Sequence, residues 1–291
     1  MHSLRIALGT VQFGQRYGIA NRQGQVSREE AAAIVHGARA AGVDTLDTAV
    51  DYGDSESRLG EIGVTGWRVI SKLPPLPDIC PDVAGWVRQT VADSLARLKI
   101  KRLGGLLLHR PQQLLGPQGE SLHSALVALR DQGLVETIGV SIYDPAELDA
   151  IWHIFKPELV QAPFNVLDRR LRTSGWLARM HRGGVEVHVR SVFLQGLLLM
   201  DAARRPPGFN RWQPLWDQWH RWLADKGLTP LQACAGFALS QYEVSRVVVG
   251  VDSLKQLEEI LGLSRAATPE PPPALASEDS DLVNPSRWVL E

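Results

Sequence analysis

The stretch that decides the fold is GLLLHRPQQLLGPQGESLHSALVALRDQGLVETIGVS, residues 105–141. It begins with a short apolar run at 105–109, continues with an amphipathic segment at 121–132 and ends with a second apolar run at 137–141. Short apolar runs of this kind are typical of strands that are buried on both faces. Two strands joined by a helix lie parallel in one sheet. The stretch therefore predicts a strand–helix–strand unit of a parallel sheet.

The same pattern recurs along the rest of the chain. Eight short runs rich in Val, Ile, Leu and Thr are predicted to be strands, with helical patterns between them. Eight strand–helix units predict an α/β fold, a single (β/α)8 TIM barrel, which takes about 250 residues as one domain. The predicted strands are 5–12, 44–48, 68–72, 105–109, 137–141, 159–162, 185–190 and 246–250, and the predicted helices are 31–41, 82–98, 121–132, 145–154, 170–181, 230–241 and 253–263.

The barrel is assigned to residues 1–263. Residues 264–291 are assigned to a C-terminal tail that docks on the barrel. The segment 192–225 is too long for an ordinary loop after the seventh strand, and long loops at this end of a barrel carry function. Within it, four tryptophans repeat with helical spacing, which predicts a face packed on the barrel. A pocket-wall role for these indoles is the alternative. They are Trp212, Trp216, Trp219 and Trp222.

The first long helix carries an N-terminal capping signal. Ser27 and Glu30 have the spacing of a capping box, in which the hydroxyl accepts from the backbone N–H of Glu30 and the carboxylate reaches back. Glu56 and Asp51 are expected to serve the turn and the helix start after the second strand.

Composition excludes several classes of protein. The 291 residues carry 31 Lys and Arg against 32 Asp and Glu, so no net charge draws the chain to nucleic acid or an anionic membrane. No apolar run is long enough to cross a bilayer. Two cysteines cannot build a disulfide framework or a multi-cysteine metal site, so we expect a cytoplasmic protein without a metal. The chain contains no G-x-G dinucleotide fingerprint.

Four polar side chains follow the ends of three adjacent predicted strands, where barrel active sites lie. Asp47 ends the second strand and Tyr52 follows it; Lys72 ends the third and His109 the fourth. An ammonium within about 4–6 Å lowers the pKa of a phenol, and a carboxylate compensates the ammonium. The imidazole can orient a carbonyl oxygen, to which the phenol gives a proton. This set has no hydride source of its own, so the hydride must come from a cofactor.

The segment DTAVDYGDSESRLG at 47–60 resembles the DTAxxYGxSExxLG signature of aldo-keto reductases. The resemblance covers residues 8–261 and implies a (β/α)8 barrel that reduces a small-molecule aldehyde or ketone with NAD(P)H. By position it makes Tyr52 the general acid and Asp47, Lys72 and His109 its supporting tetrad. Later motifs follow in the family's order: SK at 71–72, LHRP at 108–111, IGVS at 138–141, VQAPFN at 160–165 and QGLL at 195–198.

The resemblance also implies contacts with the nicotinamide. Ser141 and Gln161 match residues that hydrogen-bond the carboxamide. Arg190, followed by Ser191, stands where the family has an aromatic side chain that stacks on the ring. A guanidinium can stack on a ring but disfavours the cationic oxidised form. We hypothesise that Arg190 contacts the ring face or an anionic group of the substrate.

The segment GVDSLKQLEE at 250–259 resembles the one that holds the adenosine 2′-phosphate and adenine in the family. Gly250, Gln256 and Glu259 are the implied contacts. NADP(H) is therefore the expected cofactor. NAD(H) stays open, because the carboxylate of Asp252 repels a phosphate unless Lys255 or Arg265 offsets it.

The segments 8–14, 17–21 and 190–197 resemble a bacterial branch of the family associated with surface-polysaccharide biosynthesis, which implies a sugar-like carbonyl substrate. The alternative function is a cofactor-binding regulatory subunit with little turnover, like the potassium-channel β-subunits. A phosphate-binding barrel isomerase is disfavoured because the chain lacks its glycine-rich phosphate loops. The sequence does not indicate an oligomeric state.

Overall fold

The computed structural model describes residues 4–263 and 268–288. Eight parallel strands form a closed barrel in chain order, and the eighth pairs back with the first, with Ile6 opposite Val247 and Gly9 opposite Gly250. The predicted (β/α)8 barrel is confirmed. The strands are β1 Ile6–Gly9, β2 Thr45–Asp47, β3 Arg68–Leu73, β4 Gly105–Leu108, β5 Ile138–Ser141, β6 Leu159–Pro163, β7 Glu186–Arg190 and β8 Arg246–Gly250.

Helices alternate with the strands and surround the barrel. Short 3-10 turns occupy parts of the loops after β4 and β7 and of the tail. The helices are α1 Val11–Gly14, α2 Arg28–Ala40, α3 Ser55–Ile62, α4 Val83–Leu98, α5 Gly119–Asp131, α6 Ala146–Ile151, α7 Arg170–Thr173, α8 Trp176–Arg182, α9 Gln213–Lys226, α10 Pro230–Ser240, α11 Leu254–Leu263 and α12 Ser280–Val283.

Two predicted elements differ from the observed ones. The first strand ends at Gly9 instead of Gln12, because the chain turns there into α1. The predicted helix 170–181 is interrupted at Gly175, whose φ of 81° is left-handed and cannot belong to a continuous right-handed helix. Elsewhere along the barrel, the ends shift by only a few residues from the predicted positions.

The capping box predicted at the start of α2 is only half formed. Ser27 accepts from the backbone N–H of Glu30, as expected. The Glu30 carboxylate instead accepts from the backbone N–H of Leu254, the first residue of α11, at 2.6 Å. A complete capping box forms at α10, where Thr229 and Gln232 bond each other's backbone. Glu30 therefore joins two helices that are distant in sequence.

The tryptophan repeat packs against the protein. Trp216, Trp219 and Trp222 on α9 are buried, and the Trp216 indole N–H donates to the carbonyl of Phe209. Trp212 is half-buried, and its indole donates to Asp279 of the tail. None of the four lines the cleft described below. The packing interpretation is therefore the one that fits this structure.

The described part of the tail lies against the barrel and the α9 segment. The Arg169 guanidinium donates to the carbonyls of Pro271 and Pro272. The Trp288 ring meets that of Phe209 edge-on, at 4.9 Å between centroids. The predicted boundary between residues 263 and 264 falls at residues 264–267, outside the described residues, as do residues 289–291. Among the described residues, no helix has the length and apolar character needed to span a membrane.

Candidate active site

A tight pair of loops sets the position of Tyr52 after β2. Gly53 has a φ of 55°, and a side chain there would place its Cβ 2.2 Å from the carbonyl oxygen of Gly14. A Cβ on Gly14 would in turn lie 1.6 Å from the carbonyl oxygen of Tyr52. Only glycine allows both backbones to approach this closely. The two glycines therefore hold the Tyr52 backbone against the end of α1.

A buried ion pair lies beside Tyr52. The Lys72 Nζ is 2.7 Å from Asp47 Oδ1, and it also donates to the carbonyl of Thr48 at 2.9 Å. The side chains of Lys72 and Asp47 are 1% and 5% exposed. The ammonium lies 4.9 Å from the centroid of the Tyr52 ring. The three residues predicted from the ends of β2 and β3 therefore come together.

Gln161 on β6 completes the carboxylate's coordination. Its Nε2 donates to Asp47 Oδ2 at 2.6 Å, so both oxygens of Asp47 are held. Ser141 on β5 contacts Gln161, with 3.5 Å between the hydroxyl and Oε1. The resemblance assigns Ser141 and Gln161 to the cofactor. In this structure they also extend a buried polar chain through Asp47 to Lys72, which the sequence did not reveal.

The local electrostatics keep Tyr52 protonated. Burial raises the pKa of its phenol, the Asp47 carboxylate raises it further, and Arg190 opposes both. The expected lowering of the Tyr52 pKa by Lys72 does not prevail, because burial dominates and the ammonium is already paired with Asp47. Burial likewise lowers the pKa of Lys72, and Asp47 counteracts that effect.

His109 follows β4 and presents its ring edge-on to Tyr52, with 6.2 Å between the ring centroids. Its Nδ1 is 3.8 Å from the exposed carboxylate of Asp51. Burial, together with the positive charges of Lys72 and Arg190, lowers the pKa of His109 to about 4. The imidazole is therefore neutral at physiological pH and can donate one hydrogen bond.

Arg190 projects from the end of β7 across the barrel mouth. Its guanidinium lies 4.4 Å above the ring of Tyr143 and donates to the carbonyl of Ile142 at 2.9 Å and to Ser191 Oγ at 3.2 Å. Ser191 has a φ of 57° and accepts at its carbonyl from Asn165. The guanidinium is therefore fixed in place, and its charge acts on Tyr52.

A cleft of about 480 Å³ runs from Tyr52 along the seam between β1 and β8 toward α11. Its size lies in the range of small-molecule sites. Four of the predicted site residues do not line the cleft but contact residues that do, directly or through one another. Lys72 and Gln161 contact Asp47, Ser141 contacts Gln161, and His109 meets the Tyr52 ring. Of the predicted site residues, those that line the cleft are Asp47, Tyr52, Arg190, Ser191, Gly250, Gln256 and Glu259.

The loops after β1 and β7 also line the cleft. Tyr17 and Asn21 come from the loop after β1, and Gln195 comes from the loop after β7. The two loops touch, because the Ile19 N–H donates to the Gln195 carbonyl at 3.1 Å. The segments 17–21 and 195–198 carry part of the family resemblance, but which of their residues line the cleft was not predicted, since loop contacts follow no periodicity.

The β8 end of the cleft is polar and close to the backbone. A Cβ on Gly250 would lie 2.4 Å from the Gln12 amide, so glycine keeps the cleft open there. Gln12 Oε1 is buried and has no hydrogen-bond partner among the residues that the structure describes. An unpartnered buried acceptor in a cleft that also contains Gln256 and Asp252 suits a ligand rich in hydroxyl and amide groups. A nicotinamide dinucleotide has both, so the residues present fit that cofactor.

Within the described ranges, no cluster of three or more His, Cys, Asp or Glu side chains forms a metal site. Burial raises the pKa of the Cys234 thiol, which agrees with a packing role. His188 is buried in β7, and its Nε2 contacts Glu186 Oε1 at 2.8 Å. Glu56 lies in the first turn of α3, as expected, and its carboxylate also accepts from Ser71, Ser94 and Arg97.

Comparison with known proteins agrees with this architecture. The model of the aldo/keto reductase family matches residues 5–270. A 6-dehydroglucose reductase of Novosphingobium aromaticivorans is 31% identical in an alignment 147 residues long, which covers 45% of this chain and 47% of the relative. The aligned part thus spans about half the length of that relative.

Solved structures share the fold at lower identity. An aldo-keto reductase of Bacillus halodurans in its holo form superposes with a TM-score of 0.73 at 20% identity, covering 92% of this chain and 89% of the other. A glycerol dehydrogenase of Gluconobacter oxydans gives 0.69 at 19% identity, covering 91% and 88%. A chain described as a putative aldo-keto reductase of Pseudomonas aeruginosa gives 0.66 at 22% identity, covering 89% of each.

Proposed function

Because this chain belongs to the aldo/keto reductase family, we propose that it reduces an aldehyde or ketone with a reduced nicotinamide dinucleotide and that Tyr52 donates the proton. The observation that carries the proposal is the contact of the buried Lys72–Asp47 pair with Tyr52 at one end of the cleft. When bound, the dinucleotide supplies the hydride. Every other task falls to the residues of this chain.

Tyr52 is the proton donor in this proposal. A phenol holds its proton at neutral pH, but burial raises the pKa of Tyr52, so nearby positive charge is needed to ease the transfer. As the carbonyl carbon accepts hydride, negative charge grows on its oxygen. The phenol hydrogen bond to that oxygen then strengthens and the proton moves. Arg190, whose charge favours the phenolate, makes this transfer easier.

Lys72 and Asp47 place a buried ion pair beside Tyr52. The ammonium, 4.9 Å from the phenol ring centroid, favours the phenolate left after proton transfer. Asp47 compensates the buried ammonium and is itself oriented by Gln161. We assign Gln161 as a positioning residue that acts through Asp47, in addition to the cofactor contact that the resemblance implies.

His109 orients the substrate in this scheme. Its neutral imidazole, with a pKa of about 4, adds no further positive charge to those of Lys72 and Arg190. It can donate a hydrogen bond to the carbonyl oxygen beside Tyr52 and so fix the face that receives hydride. The Arg190 guanidinium, fixed on Tyr143, contacts either the nicotinamide face or an anionic group of the substrate.

We propose a sugar-like, polyhydroxylated carbonyl compound as the substrate. The partial match to a 6-dehydroglucose reductase supports this class, as does the polar character of Tyr17 and Gln195 at the mouth of the cleft. Hydroxyl groups need hydrogen-bond partners when buried, and these side chains offer them. The preferred substrate can be identified by testing a panel of aldehydes, ketones and oxidised sugars and measuring the loss of nicotinamide absorbance with each.

The decisive variant is Tyr52→Phe. Removing the proton donor is expected to lower kcat by roughly 10²–10⁴-fold while the dissociation constants for the dinucleotides change little. Tyr242→Phe is the matched control, since Tyr242 is 74% exposed and lies outside the cleft; it should leave kcat unchanged. Retained turnover in Tyr52→Phe would refute the assignment. Tight dinucleotide binding without turnover of any substrate in the wild type would favour the regulatory alternative.

A further inference from the structure

The far end of the cleft carries an unusual balance of charge. Asp252, Gln256 and Glu259 line it near α11. Among the described residues that line the whole cleft, the only cation is Arg190, and it acts at the Tyr52 end. The far end therefore presents two carboxylates and no Lys or Arg from the described part of the chain.

The direction of a bound dinucleotide follows from the cleft. Its nicotinamide must reach the carbonyl that Tyr52 protonates, so that half lies at the Tyr52 end. The cleft continues from there past Gly9 and Gly250 to α11. The adenosine half, and with it the ribose 2′ position, would then fall to the end of the cleft that Asp252 and Gln256 line.

The start of α11 is poorly suited to binding a phosphate. A helix N-terminus attracts anions through its free N–H groups and its dipole. Here the N–H of Leu254 already donates to Glu30, that of Asp252 to Gln256 Oε1 and that of Gln256 to Ser253 Oγ. The Glu30 carboxylate, which accepts from the Leu254 N–H, places a negative charge at the start of the same helix.

Asp252 is fixed in its position. Its Oδ1 accepts from Asn21 Nδ2 at 3.3 Å, across the cleft from the loop after β1. Asn21 is itself held, because its Oδ1 accepts from the N–H groups of Gln23 and Gly24. The carboxylate therefore cannot move aside without breaking the contact between the two loops.

We propose that this protein prefers NADH to NADPH and that Asp252 is the residue that discriminates between them. The inference rests on the proposed function. A carboxylate accepts hydrogen bonds from the ribose 2′-hydroxyl of NADH. The 2′-phosphate of NADPH would meet Asp252 and Glu259 with no described lining cation to offset the repulsion, and the Glu30 carboxylate is bonded to the start of α11. Lys255 is exposed and lies outside the cleft lining, and Arg265 is outside the described residues.

Direct binding tests the proposal without relying on turnover. Dissociation constants for NADH and NADPH are measured by titration calorimetry for the wild type, for Asp252→Asn and for Asp252→Ser. We expect the wild type to bind NADH at least about tenfold more tightly, a difference of about 1.4 kcal/mol. Both variants should lower the ratio of the NADPH to the NADH dissociation constant about tenfold. The change should come mainly from tighter NADPH binding, since a neutral side chain no longer repels the phosphate.

Glu258→Gln is the matched control. It removes one negative charge from the same helix at an exposed residue that does not line the cleft, so the ratio should stay as in the wild type. Tighter binding of NADPH than of NADH by the wild type overturns this inference alone. An unchanged ratio in both Asp252 variants also overturns it. Failure of the wild type to bind either dinucleotide overturns the proposed function itself.

Discussion

Replacing Asp47 by Asn tests the buried ion pair behind Tyr52. The neutral amide cannot compensate the Lys72 ammonium, whose remaining partner is the Thr48 carbonyl. Removing one member of a buried pair costs about 3–5 kcal/mol, because an uncompensated charge stays in the interior. The Lys72 side chain is only 1% exposed, so we expect the free energy of unfolding near neutral pH to fall by that amount.

The loss should depend on pH in a definite direction. Burial already lowers the pKa of Lys72, and Asp47 opposes that effect. Without the carboxylate, the folded-state pKa falls further below that of the unfolded chain. Between these two values the unfolded state binds more protons, so stability rises with pH. The difference between wild type and Asp47→Asn should therefore shrink as the pH rises from neutral toward about 10.

Urea unfolding followed by tryptophan fluorescence measures both effects. Asp44→Asn is the matched control on the neighbouring part of the chain, because Asp44 pairs with Arg246 at 3.1 Å but is 46% exposed. An exposed pair of that kind contributes about 0–1 kcal/mol. Equal losses in the two variants, or a loss in Asp47→Asn that is the same at neutral and alkaline pH, would refute the reasoning.

Three further predictions concern the packing and the titration of the site. Glu56→Ala should lower the free energy of unfolding by about 2–4 kcal/mol, because it leaves the hydroxyl groups of Ser71 and Ser94 and the Arg97 guanidinium without the carboxylate, which is 2% exposed. The control Glu61→Ala changes a residue of the same helix that is 47% exposed, and it should change the free energy of unfolding by less than about 1 kcal/mol in the same urea titration. Trp216→Ala should cost about 3–5 kcal/mol and leave the ranking of substrates unchanged; a changed ranking at unchanged Tm would instead give this indole a role in the pocket. With a pKa of about 4, His109 stays neutral above about pH 5, so kcat/KM should not show an imidazole titration between pH 6 and 8; a step there that disappears in His109→Gln would contradict the neutral state.

The strand pattern was readable from the sequence because buried parallel strands leave continuous apolar runs. The polar residues that end those runs were readable for the same reason: Asp47, Lys72 and Arg190 each stand at or next to a strand end. Closure of the barrel then brings strand ends together whatever the loops do. The element boundaries were less accurate, as the break at Gly175 shows.

Three contacts could not be predicted from the sequence. The Glu30 carboxylate was expected to bond its own helix and instead binds Leu254, which is 224 residues away. Gln161 holds Asp47 across the barrel, and Asn21 reaches Asp252 from another loop. Local spacing can suggest a capping box, but it cannot say which of two acceptable partners the closed fold brings nearer.

The amino-acid sequence by itself determined the barrel and which side chains face its active end, because periodicity and strand ends are local properties of the chain. Only the tertiary structure decided how those side chains share their charges. It buried Lys72 against Asp47, kept Tyr52 protonated, and gathered Asp252, Glu259 and Glu30 near α11. Burial and distance set these energies, and both are fixed only when segments far apart in the sequence meet.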